Sequence, residues 1–323
     1  MSNDIPKPTK LEIEAVENQI KEIIRWPERR NWESKKDQRI KSLFGADSFI
    51  IAQIWMMIDP LIEKDQAKNT VHNGAEQKHL LYALCFLKVY GPNEEVHCAI
   101  LDWPHSDTFR KWSWYIIDKI FSLQNIVINL HNRFAGYDIC NVNTDCLMTL
   151  DGMDIPCCEP HPFNKGMYSQ KHNGPGIQYQ IAICIKTGWI VWIHGPFAGG
   201  ICERTVFMGG LNKYLLPGEF VEADQGFTNV PTIKTPGAAI TSKQKKQKSV
   251  ARSRHECIQS KFKVFNVMNT FFHHMAGRSR EIMMEKHGKC FAAVAVITQL
   301  KIMNGEKTFD VDYDVRYDSR VYN

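Results

Sequence analysis

No Cys-x-x-Cys pair occurs in the 323 residues, and the ten cysteines are scattered apart from the adjacent Cys157-Cys158. That excludes zinc-ribbon and thioredoxin-type motifs, and it fits reduced, mostly buried thiols better than a disulfide frame. No run approaches the ~20 apolar residues that a membrane span requires, and Met1 to Pro8 lacks the apolar core of a signal peptide. The expectation is an intracellular chain with no membrane partner. The twelve histidines show no ligand spacing. His273-His274 is the tempting pair, but adjacent residues on a helix point apart, which favours a surface or packing role. Neither sign of charge is in large excess. A net charge of +5 permits nucleic acid as a partner without requiring it, so the placement of the basic residues matters more than their sum. What is present is the composition of a folded globular protein, with room for one large or two ordinary domains.

The acids are the informative residues. The apolar run Cys146-Leu147-Met148-Thr149-Leu150 reads as a short buried strand that delivers Asp151 to its end, where Gly152 lets the backbone turn. A second run, Glu219-Phe220-Val221-Glu222-Ala223, ends in Asp224-Gln225-Gly226-Phe227 with the same logic of strand, acid and glycine turn. Further on, a helical stretch carries Glu256. On that helix Arg252, Glu256, Gln259 and Lys263 share one polar face, while Ile258, Phe262 and Phe265 form an apolar face turned away from it. Asp-Gly alone is an ordinary turn pair, and a lone helix glutamate is an ordinary surface residue paired with Arg252. Two strand-end aspartates followed by one helix-borne glutamate form a constellation able to hold a pair of hard divalent cations for phosphodiester chemistry.

In chain order, residues 1–75 form a helical extension with apolar spacing at Leu11, Ile13, Val16, Ile20, Ile23 and Ile24, and with basic pairs such as Arg29-Arg30. Residues 76–140 read as three helices. The first carries Leu80, Leu81, Leu84, Phe86 and Leu87 and stops at Tyr90-Gly91-Pro92; the second is short, from Asn93 to Ile100. A turn containing Trp103-Pro104 leads to the third, Thr108 to Leu123, capped by Ser106 or Asp107. It buries Phe109, Trp112, Ile116, Ile117 and Ile120 and leaves Arg110, Lys111 and Lys119 free. This is the plan of a helix-turn-helix, and equally of a bundle that braces a neighbour; periodicity does not separate the two.

From Thr144 the texture switches to strands. An irregular polar stretch, Pro156 to Gly176, suits a position near substrate. A hairpin follows, Tyr179–Ile185 and Trp189–Ile193 about Lys186-Thr187-Gly188. With a helix near Cys202 to Leu215, the Asp224 strand and the Glu256 helix, the order is β-β-β-α-β-α. That is an RNase H-like α/β (α+β) core, a mixed sheet flanked by helices, in which the first and fourth strands lie side by side. Beyond Thr235-Pro236-Gly237, the lysines 243, 245, 246 and 248 form a run that cannot pack; it could steer DNA by phosphate attraction or address the chain to the nucleus. Phe291 to Ile297 is a packing helix ended by Asn304-Gly305, and residues 305–323 are a tail, acidic and aromatic in alternation from Thr308.

Asp151-Gly152, Gly174-Pro175-Gly176, Gly195-Pro196-Phe197-Ala198-Gly199-Gly200, Ala223-Asp224-Gln225-Gly226-Phe227 and Arg254-His255-Glu256 occur in an order that resembles DDE-type transposases of the PIF/Harbinger group, from about Lys78 to about Asn304. The resemblance implies a catalytic domain over 141–304 that cuts, and joins, phosphodiester bonds at transposon ends. It implies two Mg²⁺ ions, replaceable by Mn²⁺, with Asp151 bridging, Asp224 on one ion and Glu256 on the other. DNA would be the partner, contacted by Arg110, Lys111, Lys243, Lys245, Lys246, Lys248, Arg252 and Arg254. A homo-oligomer, a separate DNA-binding partner protein and a nuclear location belong to the same expectation. Three departures stand out: Glu203 where relatives carry aspartate, Asp154 where they often carry histidine, and Phe227 for tyrosine. Glu203 and Asp154 are therefore auxiliary ligand candidates. The alternative is a catalytically idle, host-adopted DNA-binding or scaffold protein of the same fold.

Overall fold

The computed structural model describes residues 5–24, 32–68, 74–91, 93–102, 104–137, 146–235, 241–273 and 279–308. Arg29-Arg30, Pro92, Trp103, Thr144, Pro236-Gly237, His274 and the tail from Phe309 to Asn323 lie outside the described residues. The chain divides into two compact units. One gathers Met1–Val127, Phe262–His274 and Glu285–Lys301; the other gathers Ile128–Lys261, Met275–Met284 and Ile302–Asn323.

The first unit is helical: α1 Lys10–Ile23, α2 Trp32–Phe44, α3 Ser48–Gln66, α4 Gln77–Val89, α5 Glu94–Ile100, α6 Ser106–Ser122 and the single turn α7 Gln124–Val127. Helix α1 starts where it does because Thr9 and Glu12 form a reciprocal box. The Glu12 N–H donates to Thr9 Oγ1 at 3.4 Å, and the Thr9 N–H donates to the Glu12 carboxylate at 2.6 Å. Helix α6 begins at Ser106 and is capped by the His105 ring, whose Nδ1 accepts from the Asp107 N–H at 3.3 Å, instead of by Ser106 or Asp107. A ring nitrogen takes the place of the usual cap oxygen there. Phe109, Trp112, Ile116, Ile117 and Ile120 are buried as the spacing predicts, and His79 of α4 stacks on Trp112 at 4.1 Å. Lys119 is not free: it pairs with Asp65 of α3. Helix α10, Arg280–Met303, contains the expected Phe291–Ile297 run, and Cys290 to Leu300 are buried on every side, the mark of a core helix.

The second unit is built on a mixed sheet of β1 Cys146–Pro156, β2 Tyr168–Ser169, β3 Gly174–Cys184, β4 Ile190–Ala198, β5 Phe220–Glu222 and β6 Ile233–Lys234. The order is β2-β3-β1-β5-β6, with β4 paired to β3. Strands β1, β3 and β4 are antiparallel, whereas β1 and β5 are parallel, as are β5 and β6. The core packs Leu150, Ala182, Val191, Val221 and Phe227 with Phe207 of α8, Glu203–Gly209. A helical region followed by a mixed sheet flanked by helices is the architecture expected of the RNase H-like class. The pairs β2 and β6 are additions too short to leave a periodic signal, and β3 and β4 extend through glycine-proline segments that read as loops.

Helix α9, Ser242–Lys263, is a single helix that absorbs the lysine run. The expectation that this run cannot pack fails at Lys248, whose side chain is 2% exposed. Its Nζ donates to Thr235 O at 2.9 Å and lies 3.4 Å from Oε1 of Glu222, a wholly buried carboxylate on β5. Lys248 therefore pins α9 to the sheet, and its ammonium is spent on Glu222 and the Thr235 carbonyl. Lys248→Met removes a buried positive charge that faces the Glu222 carboxylate, and urea denaturation should register a loss of about 3–5 kcal/mol. Adding Glu222→Gln should recover part of that loss.

Candidate active site

The parallel register of β1 and β5 sets Thr149 opposite Glu222. Two residues beyond that pair along each chain come Asp151 and Asp224, which line one cavity although 73 positions apart (224 − 151). Asp224 follows the expected pattern. It leaves β5, caps the turn Gln225–Phe227 and accepts from the Gly226 N–H at 2.9 Å. Asp151 does not end its strand. β1 continues through Gly152, which pairs with Gln180 on β3, as far as Pro156. The missing side chain of Gly152 serves a different purpose from turning: a Cβ there would lie 2.3 Å from Oε1 of Glu203. Gln180 Nε2 donates to the Glu203 carbonyl at 2.7 Å, which holds the start of α8 at that gap.

Helix α9 brings the third acid. Arg252, Glu256 and Lys263 are exposed and Gln259 is half-buried on the polar face, while Ile258 and Phe262 are buried on the other. Glu256 joins Asp151, Asp224, Glu222, Arg252 and His255 around a cavity of about 40 Å³. A wider cavity of about 290 Å³ lies along the same helix, lined by Lys245, Lys248, Ser249, Arg252, Ser253 and Glu256. The two cavities share Arg252 and Glu256.

The carboxylates are held under strain of charge. Burial raises the pKa of Asp151; Lys171 and the Gly152 N–H pull it back, the negative charge of Asp224 raises it further, and Arg252 lowers it. Asp151 Oδ1 accepts from the Gly152 N–H at 2.8 Å and Oδ2 from Gln259 Nε2 at 2.9 Å. Burial likewise raises the pKa of Glu203; Lys171 opposes it, and Asp151 and Asp224 add to it. Lys171 donates to Glu203 Oε1 at 2.9 Å and lies 3.9 Å from Oδ1 of the buried Asp154. Burial alone would lower the pKa of Lys171, but Glu203, then Asp154 and Asp151, raise it on balance.

His255 ties helix to sheet. Its Nε2 and the Thr149 Oγ1 of β1 are 2.6 Å apart, and burial pushes the imidazole pKa down to about 3, so the ring is neutral near pH 7. Arg254, expected to touch DNA, is buried instead, donating to the carbonyls of Cys184 at 3.3 Å and Ile185. Lys243, Lys245, Lys246 and Arg252 are exposed on α9. In the helical unit Arg110 is tied to Glu94 and Asp107, at 2.5 and 2.7 Å, and Lys111 lies over the Trp112 ring at 4.9 Å.

Asp151, Asp224 and Glu256 thus line one cavity, and Glu203 interacts with the two aspartates. Asp154 lies three residues further along β1, on the opposite face of the strand from Asp151, with Oδ2 accepting from Ser169 Oγ at 2.5 Å. Among the described residues no three acidic, histidine or cysteine side chains converge as a ready metal-ligand set. The donor chemistry nevertheless fits a hard cation: carboxylates with spare lone pairs, one of them, Asp151, raised in pKa chiefly by burial and further by a like charge.

Residues 150–299 match the family model described as DDE superfamily endonuclease. No curated protein and no solved structure matches the chain. The matched segment contains Asp151, Asp224 and Glu256 together with Lys171, Glu203, His255 and Gln259. Sequence reasoning placed Gln259 on the correct face without a partner, and it passed over Lys171, a single lysine in a polar turn with no periodicity to single it out.

The neutral His255 makes the fold acid-sensitive. Between about pH 6.5, where an unfolded histidine protonates, and about 3, the folded ring stays neutral while the unfolded one takes a proton, so stability is lost as pH falls. His255→Gln keeps an amide near Thr149 without titrating. From pH 7 to pH 5 the wild type should lose about 2 kcal/mol more than this variant in denaturant titrations.

Proposed function

We propose that the chain is a divalent-metal-dependent DNA endonuclease of transposase type, similar to the PIF/Harbinger group, which cuts phosphodiester bonds at transposon ends and joins the freed ends to target DNA. The observation that carries this reading is the meeting of Asp151 and Asp224 from neighbouring parallel strands with Glu256 from α9 around one cavity, inside the segment that matches the DDE superfamily endonucleases.

Phosphodiester cleavage is slow because attacking oxygen and phosphate are both negative, so the site's task is charge compensation and placement. Asp151, Asp224 and Glu256 would hold Mg²⁺ or Mn²⁺, which supplies positive charge at the attacking and leaving oxygens. The backbone N–H groups of Gly152 and Gly226 and the Gln259 amide orient the two aspartates. His255 and Lys248 fix α9 against the sheet, so Glu256 and Arg252 face the cavity from a rigid element. Arg252 and Lys245, lining the wider cavity, supply cations for the phosphates flanking the cut. DNA as partner, a homo-oligomer, a separate DNA-binding protein and a nuclear location belong to this proposal.

A supercoiled-plasmid assay tests it. Nicking should require Mg²⁺ or Mn²⁺, and Asp224→Asn should reduce it by more than the roughly 100-fold that marks loss of an outer-shell metal partner. Metal-independent nicking, or an unimpaired Asp224→Asn, contradicts the proposal; binding without nicking supports the idle DNA-binding or scaffold alternative. DNA binding itself should show where phosphate is held. Lys245→Ala with Arg252→Ala should reduce the salt slope by about two. Arg110→Ala with Lys111→Ala should change it less, because Arg110 is already neutralised by Glu94 and Asp107.

A further inference from the structure

Lys171 sits in the four-residue turn between β2 and β3, whose last pair is Ser169 with Gly174. The turn is fastened to the site at three points. Ser169 Oγ donates to Asp154 Oδ2 at 2.5 Å, His172 Nε2 lies 3.0 Å from the Asp154 carbonyl, and Lys171 Nζ lies 3.4 Å from the Gly152 carbonyl and 2.9 Å from Glu203 Oε1. Asn173 closes it with φ +51°, a left-handed conformation that asparagine tolerates. The ammonium is thereby held against β1 at the residue after Asp151. Oδ1 of Asp154 is buried without a hydrogen bond, 3.9 Å from the same ammonium.

This is more than a surface ion pair. The Glu203 carboxylate reaches the ammonium only because Gly152 has no Cβ in its path. Asp151 feels Lys171 more strongly than it feels Asp224 or Arg252. Asp154 and Glu203 stand on the Lys171 side of Asp151, while Asp224 and Glu256 line the cavity with it. Asp151 therefore lies between a built-in cation and the cavity that would take a metal ion.

We propose that the Lys171 ammonium takes the place of a second metal ion, so that the acid cluster binds one divalent ion, by Asp151, Asp224 and Glu256, and not the pair that the family resemblance implies. The inference rests on the endonuclease reading only in requiring that these acids bind metal. Lys171 acts as a fixed charge and transfers no proton. Glu203 and Asp154 serve to hold it, which explains why a longer acid at 203 suits this chain: its carboxylate has to span the gap over Gly152. Glycine at 152 is needed for the same reason.

The test counts Mn²⁺ bound to the full-length protein without DNA, by electron paramagnetic resonance of the free ion, so that nuclease activity is not the readout. The wild type should bind one ion per chain, and Asp224→Asn should weaken it at least tenfold. Lys171→Met, which keeps the stem and removes the charge, should bind two; Lys171→Arg should return to one, and Lys171→Met with Glu203→Gln should also return to one. Two ions in the wild type, or one in a folded Lys171→Met, overturns the assignment of Lys171. No ion in either protein overturns the metal-site reading itself, and this inference with it. Far-ultraviolet circular dichroism and thermal melting establish that each variant is folded.

Discussion

Carboxylates drawn together around one cavity repel one another, and the second unit is arranged around holding them there. The parallel pairing of β1 with β5 is the contact on which this depends, because it joins chain segments far apart in sequence and fixes where Asp151 and Asp224 meet. Other features act on that pairing. Lys248 and Glu222 form a buried pair at its edge, and the buried bidentate pair of Arg133 with Glu219, at 2.7 and 3.3 Å, anchors the chain as it enters β5. His255 reaches Thr149 one turn of the pleat before Asp151. Buried ion pairs of this kind contribute little net stability against apolar packing, but breaking one is costly, so they specify a geometry more than they strengthen a fold.

The acids at the surface of this framework are stabilised by donors that do not compete for all of their lone pairs. Each aspartate accepts one backbone N–H from the glycine that follows it or lies one beyond it, and Asp151 also accepts the Gln259 amide. A carboxylate has roughly four acceptor positions, so capacity for a cation remains. Such a site keeps its carboxylates poised while Lys171 and Arg252 limit their mutual repulsion. The exposed cations of α9 then extend the same surface along the wider cavity, where successive turns of one helix present Lys245, Ser249, Arg252 and Ser253.

Much of this was legible in the sequence. The order of strands and helices and the polar face of α9 followed from hydrophobic period, and the adjacency of the Asp151 and Asp224 strands from the RNase H-like arrangement that this order matches. The misreadings have physical causes. Asp151-Gly152 looks like a turn because glycine usually frees the backbone, whereas here the glycine is needed for what its missing Cβ admits, a contact made by a residue 51 positions later (203 − 152). Lys248 and Arg254 look like DNA contacts because composition makes no distinction between the two faces of a basic helix, and their burial depends on Glu222, Thr235 and the carbonyls of Cys184 and Ile185. Lys171 carries no sequence signal, since a lysine in a polar turn acquires meaning only from the carboxylates that folding sets around it.

Asp151, Asp224 and Glu256 should close on a common cation. Crystals grown with Mn²⁺ and measured at the manganese absorption edge put this to the test. An anomalous peak bounded by these three carboxylates is expected, with the Lys171 ammonium beyond Asp151. A manganese peak elsewhere, or a structure saturated with Mn²⁺ in which the three acids remain without one, would contradict it.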